Sequence, residues 1–228
     1  MTIIRDTHIN LKSENVFRRE GLSQPGSSKV KIISLIEELL LLIKDDHLLE
    51  TAIVYETQPI IGINRHRLVL KNVTLNSPLF ARMIPDAKEL AVVCCTIGPK
   101  LENVVTEYLG KNEALRGMLL DGIGNAAIDT LAQEACRNIA EVALTYGFQT
   151  SSPLSPGTSY FSIAEQKKIF HLISSEQIGL KLSPAGMMVP RKSISMIIGI
   201  GPMMKVWTQA EVCANCNLAR TCLYRYGK

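Results

Sequence analysis

Three cysteines stand within ten residues near the C-terminus, in CANCNLARTCLYR: Cys213 and Cys216 are two residues apart and Cys222 follows six positions later. A C-x-x-C pair can wrap one metal ion or one corner of an iron–sulfur cluster, and a third thiolate at this distance can close on the same centre. Three ligands leave a fourth position, open to Cys94, Cys95, Cys136, a partner protein or a non-protein ligand. An iron–sulfur cluster is favoured over zinc, because structural zinc sites normally draw four ligands from nearby sequence. The competing reading is a surface tail whose cysteines hold no metal.

A second stretch with chemical content is SSPLSPGTSYFSIAEQKKIFHLI, residues 151 to 173, where a turn rich in proline, glycine and hydroxyls runs into an amphipathic segment. The start of a helix presents backbone N–H groups to an anionic carboxylate, with Ser155, Thr158 and Ser162 as nearby donors. The bland alternative is that the turn only starts the helix. Ser162 followed three residues later by Glu165 matches a capping box.

The elements that position these groups follow from periodicity. Residues 29 to 43 carry apolar positions at helical spacing, whereas 52 to 60 and 67 to 75 are rich in β-branched residues and read as strands. LAVVCCTI, 90 to 97, is a continuous apolar run closed by Gly98-Pro99, as expected of a strand buried on both faces. Two helices fit between Lys100 and Tyr146, the second with a core stripe of Leu119, Ile123, Ala127, Leu131, Ala135, Ile139 and Val142. A helix over 163 to 173 and a buried strand over 193 to 201 complete the set. The expected architecture is one α/β or α+β (mixed) domain over 1 to 209, a central twisted sheet flanked by helices, with a cysteine-bearing tail over 210 to 228.

Composition narrows the function classes. The 228 residues are 46% hydrophobic and 20% charged with a formal net charge of +4, ordinary for a globular chain. Basic residues fall in scattered pairs (Arg18 and Arg19, Arg65 and Arg67, Lys167 and Lys168, Arg191 and Lys192) without the stripe and aromatic platforms of a nucleic-acid binder. The N-terminus has no apolar signal core, and IISLIEELLLLI, interrupted by Glu37 and Glu38, is too short to span a bilayer. A cytoplasmic protein with free thiols is expected. Cys94, Cys95 and Cys136, inside apolar segments, read as small buried hydrophobes.

Other motifs carry less. GIGNAA at 122 to 127 fits G-x-G-x-x-A, but the helical stripe runs through it from Leu119 and no strand precedes it, so close helix packing is the better explanation. The histidines at 8, 47, 66 and 171 show no metal-ligand spacing; His66 reads as a solvated turn residue and His171 as the border of a helix stripe. Met187, Met188, Met203 and Met204 read as core filler.

The succession of SPG, IAEQKKIFHLI and IGLKLSPAGMMVPRKSISMIIGIG resembles the activation domain of cobalamin-dependent methionine synthase, in particular the free-standing proteins made of that domain alone. The matching landmarks are Pro156-Gly157, Gly179 to Ser183 and Met188 to Ser195, with NVFRREG, TIGPKLE and LLDGIGNAAIDTLAQEA upstream, so the likeness covers nearly the whole chain. The resemblance implies binding of S-adenosylmethionine by the turn at Ser155, Pro156, Gly157, Thr158 and Tyr160. It implies reactivation of cob(II)alamin held by a corrinoid-binding methyltransferase partner, with an electron from a donor such as flavodoxin or ferredoxin; the composition argues for no nucleic-acid or membrane partner.

One departure stands out. The family's turn is R-x-x-x-G-Y, and aligned on Gly157 the arginine position here is Pro153 and the tyrosine position Thr158. Tyr160, two residues along, can stand in for the tyrosine, but proline cannot replace a guanidinium. Two functions are therefore carried forward: an activation module using S-adenosylmethionine, and a corrinoid-associated iron–sulfur or metal-binding accessory that has lost the methyl donor. A scaffold without chemistry is the third.

Overall fold

In a computed structural model, which describes residues 1–11, 28–158, 160–214 and 220–221, the fold is organised around one strand. Strand β6, Glu89–Thr96, has every side chain from Leu90 to Thr96 buried. It lies at the centre of a five-stranded sheet of order β1-β2-β6-β10-β7, with β1 Thr2–Arg5, β2 Ala52–Pro59, β7 Gln149–Thr150 and β10 Ser193–Gly201, every pairing antiparallel. The architecture is thus mixed, with helices and strands segregated in the α+β manner. An antiparallel strand often faces water on one side; β6 does not, because separate layers cover both faces of the sheet.

Alternation along β6 sorts its side chains between those layers. Ala91, Val93 and Cys95 enter a core built with helices α1 Ser28–Asp45, α3 Lys100–Gly110 and α4 Ala114–Thr145. Leu90, Val92 and Cys94 enter a second core, roofed by a three-stranded sheet (β3 Gly62–Ile63, β4 Arg67–Val69, β5 Thr74–Asn76), by the short helix α2 Phe80–Met83 and by the segment from Leu154 to Leu180. That segment runs through a 3-10 helix Ile163–Glu165, helix α5 Gln166–His171 and a second 3-10 helix Ser175–Ile178. The two-residue strands β8 Lys181–Leu182 and β9 Met188–Val189 pair before β10, and helix α6 Gln209–Ala214 follows it.

GIGNAA lies inside α4, where Gly122, Gly124, Ala126 and Ala127 are buried. A Cβ on Gly124 would stand 2.8 Å from Leu101 Cδ2 and 3.3 Å from Lys192 Cε, so small residues here permit helix packing, as expected. Three expectations need correction. Residues 67 to 75 form two strands joined by a tight turn closed by Leu70 N–H donating to the Val73 carbonyl. The α4 stripe ends on Ala143, because Val142 has rotated to the exposed side while Ala143 faces the core. Of the methionines taken as filler only Met204 is buried; Met187 and Met203 are exposed and Met188 is half-buried.

Candidate functional site

The segment after β7 lies along the free edge of β10, and its first residues explain the proline at 153. Ser151 N–H donates to the Gly199 carbonyl and its hydroxyl accepts from Gly199 N–H, while Leu154 and Ile197 exchange two backbone bonds of 2.9 Å. Pairing of Ile200 with Thr150 and of Ile197 with Leu154 leaves one surplus residue on the edge side, a bulge occupied by Ser152 and Pro153. Proline is tolerated at such an edge because no ladder bond requires its missing N–H.

Beyond the bulge the chain reverses over Ser155 to Phe161. Gly157 has φ 88°, a conformation that favours glycine, and a Cβ there would meet only Ile163 Cδ1 at 3.5 Å. Gly157 N–H donates to the Phe161 carbonyl, Phe161 N–H to the Thr158 carbonyl, and the Thr158 hydroxyl to the Ser155 carbonyl at 2.9 Å. Gly157 and Thr158 are exposed and Ser155, Pro156 and Tyr160 half-buried, so the five expected ligand residues form the crown of one turn with an approachable backbone.

The helix that follows is started by Ser162, whose hydroxyl accepts from Ala164 N–H at 3.3 Å; the Glu165 N–H bonds the Ser162 carbonyl. The capping box itself is not formed. Glu165 is turned inward, where its carboxylate accepts from Asn76 N–H at 3.0 Å, Asn76 Nδ2 at 3.2 Å and Lys168 Nζ at 2.9 Å. The tertiary partner wins because a buried carboxylate is better satisfied by three donors than by one. Ala164 and Glu165 N–H and the Thr158 hydroxyl are therefore engaged as donors within the turn, where the Ser162 hydroxyl serves as an acceptor.

Helix α2 clamps both ends of this turn. At the C-terminal end Phe80 packs edge-on against Phe161, ring centroids 5.6 Å apart, and the Ser77 hydroxyl just before α2 donates to the Tyr160 carbonyl at 2.6 Å. At the N-terminal end the Ser152 hydroxyl accepts from Trp207 N–H at 2.7 Å and donates to the Trp207 carbonyl at 3.1 Å. The guanidinium of Arg82 lies over the Trp207 ring, 5.0 Å from its centroid, and the Lys205 ammonium lies 4.6 Å from the same centroid. Sequence reasoning missed Arg82 and Trp207, since nothing local connects a residue of α2 to one 55 positions beyond Ser152. The signal available was that Trp207 is the chain's only tryptophan.

After Trp207 the chain enters α6 through a capping box that the sequence shows as T-x-x-E. Thr208 N–H donates to Glu211 Oε2 at 2.8 Å, and the Thr208 hydroxyl accepts from Glu211 N–H at 3.2 Å. The Thr208 N–H, then the Lys205 ammonium, hold the Glu211 carboxyl down at about 2. Cys213 belongs to α6, whereas Cys216, Cys222 and the NVFRREG landmark lie outside the described residues. Among the described residues no group of three or more His, Cys, Asp or Glu could hold a metal. Burial pushes the Cys94 thiol up to about 12 and Cys136 up to about 11, and holds Cys95 far above its usual range. Such thiols stay protonated and are weak nucleophiles at neutral pH. Two open grooves of about 440 and 420 Å³ lie elsewhere, the first along Lys167, Phe170, His171 and Lys181, the second along Arg5, Glu50, Gly98 and Gln177; the five turn residues line neither. His171 is exposed on the first, and His66 is exposed in the turn before β4, as expected of a solvated residue.

A solved structure shares this arrangement. The crystal structure of the MetH reactivation domain bound to AdoHcy matches with a TM-score of 0.64 over 88% of this chain and 73% of that chain, at 11% sequence identity. The fold is that of the MetH reactivation domain. No family model matches the chain, and no curated protein matches its sequence. In this reactivation-domain fold Phe80 and Met83 of α2, Phe161 at the end of the turn and Trp207 belong to the core on the sheet face opposite α1, α3 and α4. Among the described residues no helix is long and apolar enough to cross a membrane.

Proposed function

We propose that the chain is a reactivation module for a cobalamin-dependent methionine synthase or a related corrinoid methyltransferase, and that it supplies S-adenosylmethionine at the Ser155 to Tyr160 turn. The observation that carries this reading is the fold shared with a reactivation domain bound to AdoHcy, over most of both chains. AdoHcy is what S-adenosylmethionine becomes when it gives up its methyl group. In the proposed reaction one electron from a flavodoxin- or ferredoxin-type donor reduces the partner's cob(II)alamin; the resulting nucleophile displaces the sulfonium methyl and AdoHcy leaves. Immediate methylation drains the reduced corrinoid and pulls an uphill electron transfer forward.

The residues present suit holding and orienting a donor more than acid–base chemistry. Gly157 leaves the backbone of the turn approachable, and α2 with Trp207 fixes both ends of the turn, so that a ligand on its crown meets a rigid surface. The crown is open rather than a cavity, which fits a donor that is enclosed only when the corrinoid partner docks over it. A second reading rests on Pro153 and Thr158: the fold persists without the donor, and Cys213, Cys216 and Cys222 hold an iron–sulfur cluster or zinc for a corrinoid-associated accessory.

Anaerobic calorimetric titration with S-adenosylmethionine, alone and with cob(II)alamin, separates the two. Saturable binding in the micromolar to millimolar range supports reactivation. Absence of heat at millimolar ligand in both conditions overturns it and leaves the accessory reading, for which iron and zinc analysis of anaerobically purified protein is the corresponding measurement.

A further inference from the structure

The larger of the two open grooves, about 440 Å³, is lined by polar side chains that the fold does not use. Lys167 and His171 are one helical turn apart on α5, and Lys181 comes from β8. All three are exposed, and none has an ionic or hydrogen-bonding partner among the described residues. By contrast Lys168, next to Lys167, is matched by Glu165 at 2.9 Å, Lys192 by Asp121 at 2.7 Å and Lys205 by Glu211 at 3.0 Å. Phe170, Leu180 and Leu182 give the groove an apolar lining. Its frame is fixed by tertiary bonds: the buried Ser175 hydroxyl donates to the Leu180 carbonyl at 3.0 Å, and Gln166 Nε2 donates to the Gly186 carbonyl at 3.1 Å, tying the β8–β9 hairpin to α5. The stem of Lys167 runs along the same hairpin, its Cε 3.7 Å from where a Cβ on Gly186 would stand.

We propose that this groove binds a phosphomonoester with a flat apolar body, at a site separate from the Ser155 to Tyr160 turn. Two ammonium groups and an imidazole N–H can each meet a different phosphate oxygen, and lysine serves phosphate as a point charge. A carboxylate is better met by the fork of a guanidinium, and no arginine lines the groove. The apolar lining gives the rest of the ligand a surface to cover. That division, in which a few polar groups fix orientation and apolar contacts supply burial, is the one small-ligand sites use. S-adenosylmethionine and AdoHcy carry no phosphate, so the groove calls for a different ligand, and the inference stands apart from the reactivation reading. Glu176 is the acid among the lining residues. Its carboxylate opposes a phosphate, which gives the test a substitution of opposite sign.

The test is a titration of the full chain with phenyl phosphate, followed by amide NMR at fixed pH and ionic strength, with inorganic phosphate, benzoate and phenol as comparisons. Phenyl phosphate is expected to saturate, to shift amides around the groove, and to bind at least ~10-fold more tightly than the other three. Lys167→Gln and Lys181→Gln should each weaken it about two- to fivefold, the range for exposed charge pairs, and Glu176→Gln should strengthen it by a similar factor. Lys44→Gln, at an exposed lysine near the end of α1 on the other side of the sheet, should leave it unchanged. Thermal unfolding of each variant checks that the fold is retained. Equal binding of inorganic phosphate would remove the apolar lining from recognition, and equal binding of benzoate would remove the preference for phosphate. An equal loss in Lys44→Gln would show a general response to charge. Each of these results overturns the assignment, as does a failure of phenyl phosphate to saturate at millimolar concentration.

Discussion

Ser152 and Trp207, 55 residues apart in sequence, close a reciprocal pair of hydrogen bonds in which one serine hydroxyl satisfies both the N–H and the carbonyl of the tryptophan. The bond fastens the start of the turn to the strand-to-helix connection after β10. Ser152→Ala strands two backbone groups in a partly buried place, and the expected loss is about 1–3 kcal/mol of stability. Because Trp207 is the only tryptophan and is 8% exposed, its release should shift fluorescence emission to the red below the unfolding transition. Unchanged emission together with an unchanged urea midpoint would remove the bond from any role in holding the edge.

The Glu165 carboxylate joins α5 to β5 through Asn76 and Lys168. In Glu165→Gln an amide NH₂ replaces one carboxylate oxygen and meets donors on every side. The expected cost is about 2 kcal/mol, moderated because Lys168 is partly exposed. Chemical denaturation measures it, and a change below about 0.5 kcal/mol would mean that Asn76 finds water instead.

Gly201 is constrained by space rather than by backbone angle. A Cβ there would stand 2.4 Å from the Asp86 carbonyl oxygen and 3.2 Å from Ala87 Cα, both backbone atoms that cannot rotate away. Gly201→Ala should destabilise by about 2–3 kcal/mol. Gly62, with nothing within 4 Å of a Cβ, is the matched control, and Gly62→Ala is expected to be close to neutral. Equal midpoints for the two variants would contradict the close approach of β10 to the Asp86 turn.

Burial pushes the Cys94 thiol up to about 12 and Cys136 up to about 11. A folded-state value raised above the usual 9.0 means that the associated stability is fully present below about pH 9 and is lost as the pH rises toward those folded values. Alkylation of Cys94, Cys95 and Cys136 at pH 8, followed by mass spectrometry, should be at least ~10-fold slower in native protein than in urea. Rapid native labelling of Cys94 would contradict its burial within the sheet.

Glu211 titrates in the opposite direction. Held at about 2 by the Thr208 N–H and then by Lys205, it should stay ionised until well below the usual carboxylate range, and the cap on α6 is lost only as the pH falls through that value. Carboxyl chemical shifts followed through an acid titration report it directly. In Thr208→Ala, where the hydroxyl is gone but the N–H remains, the midpoint should move only part of the way back. A wild-type midpoint in the ordinary carboxylate range would dissolve the capping box.

Much of the framework was legible because its causes are local. Apolar spacing of three and four defined α1 and α4, the run from Leu90 to Ile97 announced a doubly buried strand, and Gly98-Pro99 marked where it stops. The residues from Pro156 to Gly157 likewise announced a turn, since a positive φ at 157 requires a residue without a side chain. Tertiary structure decided everything that depends on distant partners. Glu165 reads locally as a cap, yet Asn76 and Lys168 draw it into the interior. Val142 and Ala143 differ by one position, and the pitch of a 32-residue helix packed on a twisted sheet chooses between them. The same holds for Arg82: no local pattern singles it out, and its place over Trp207 exists because the sheet brings α2, the edge bulge and the connection after β10 together. Local backbone preferences are written in neighbouring residues, whereas burial and charge pairing are set by which surfaces meet, and that meeting is a property of the whole chain.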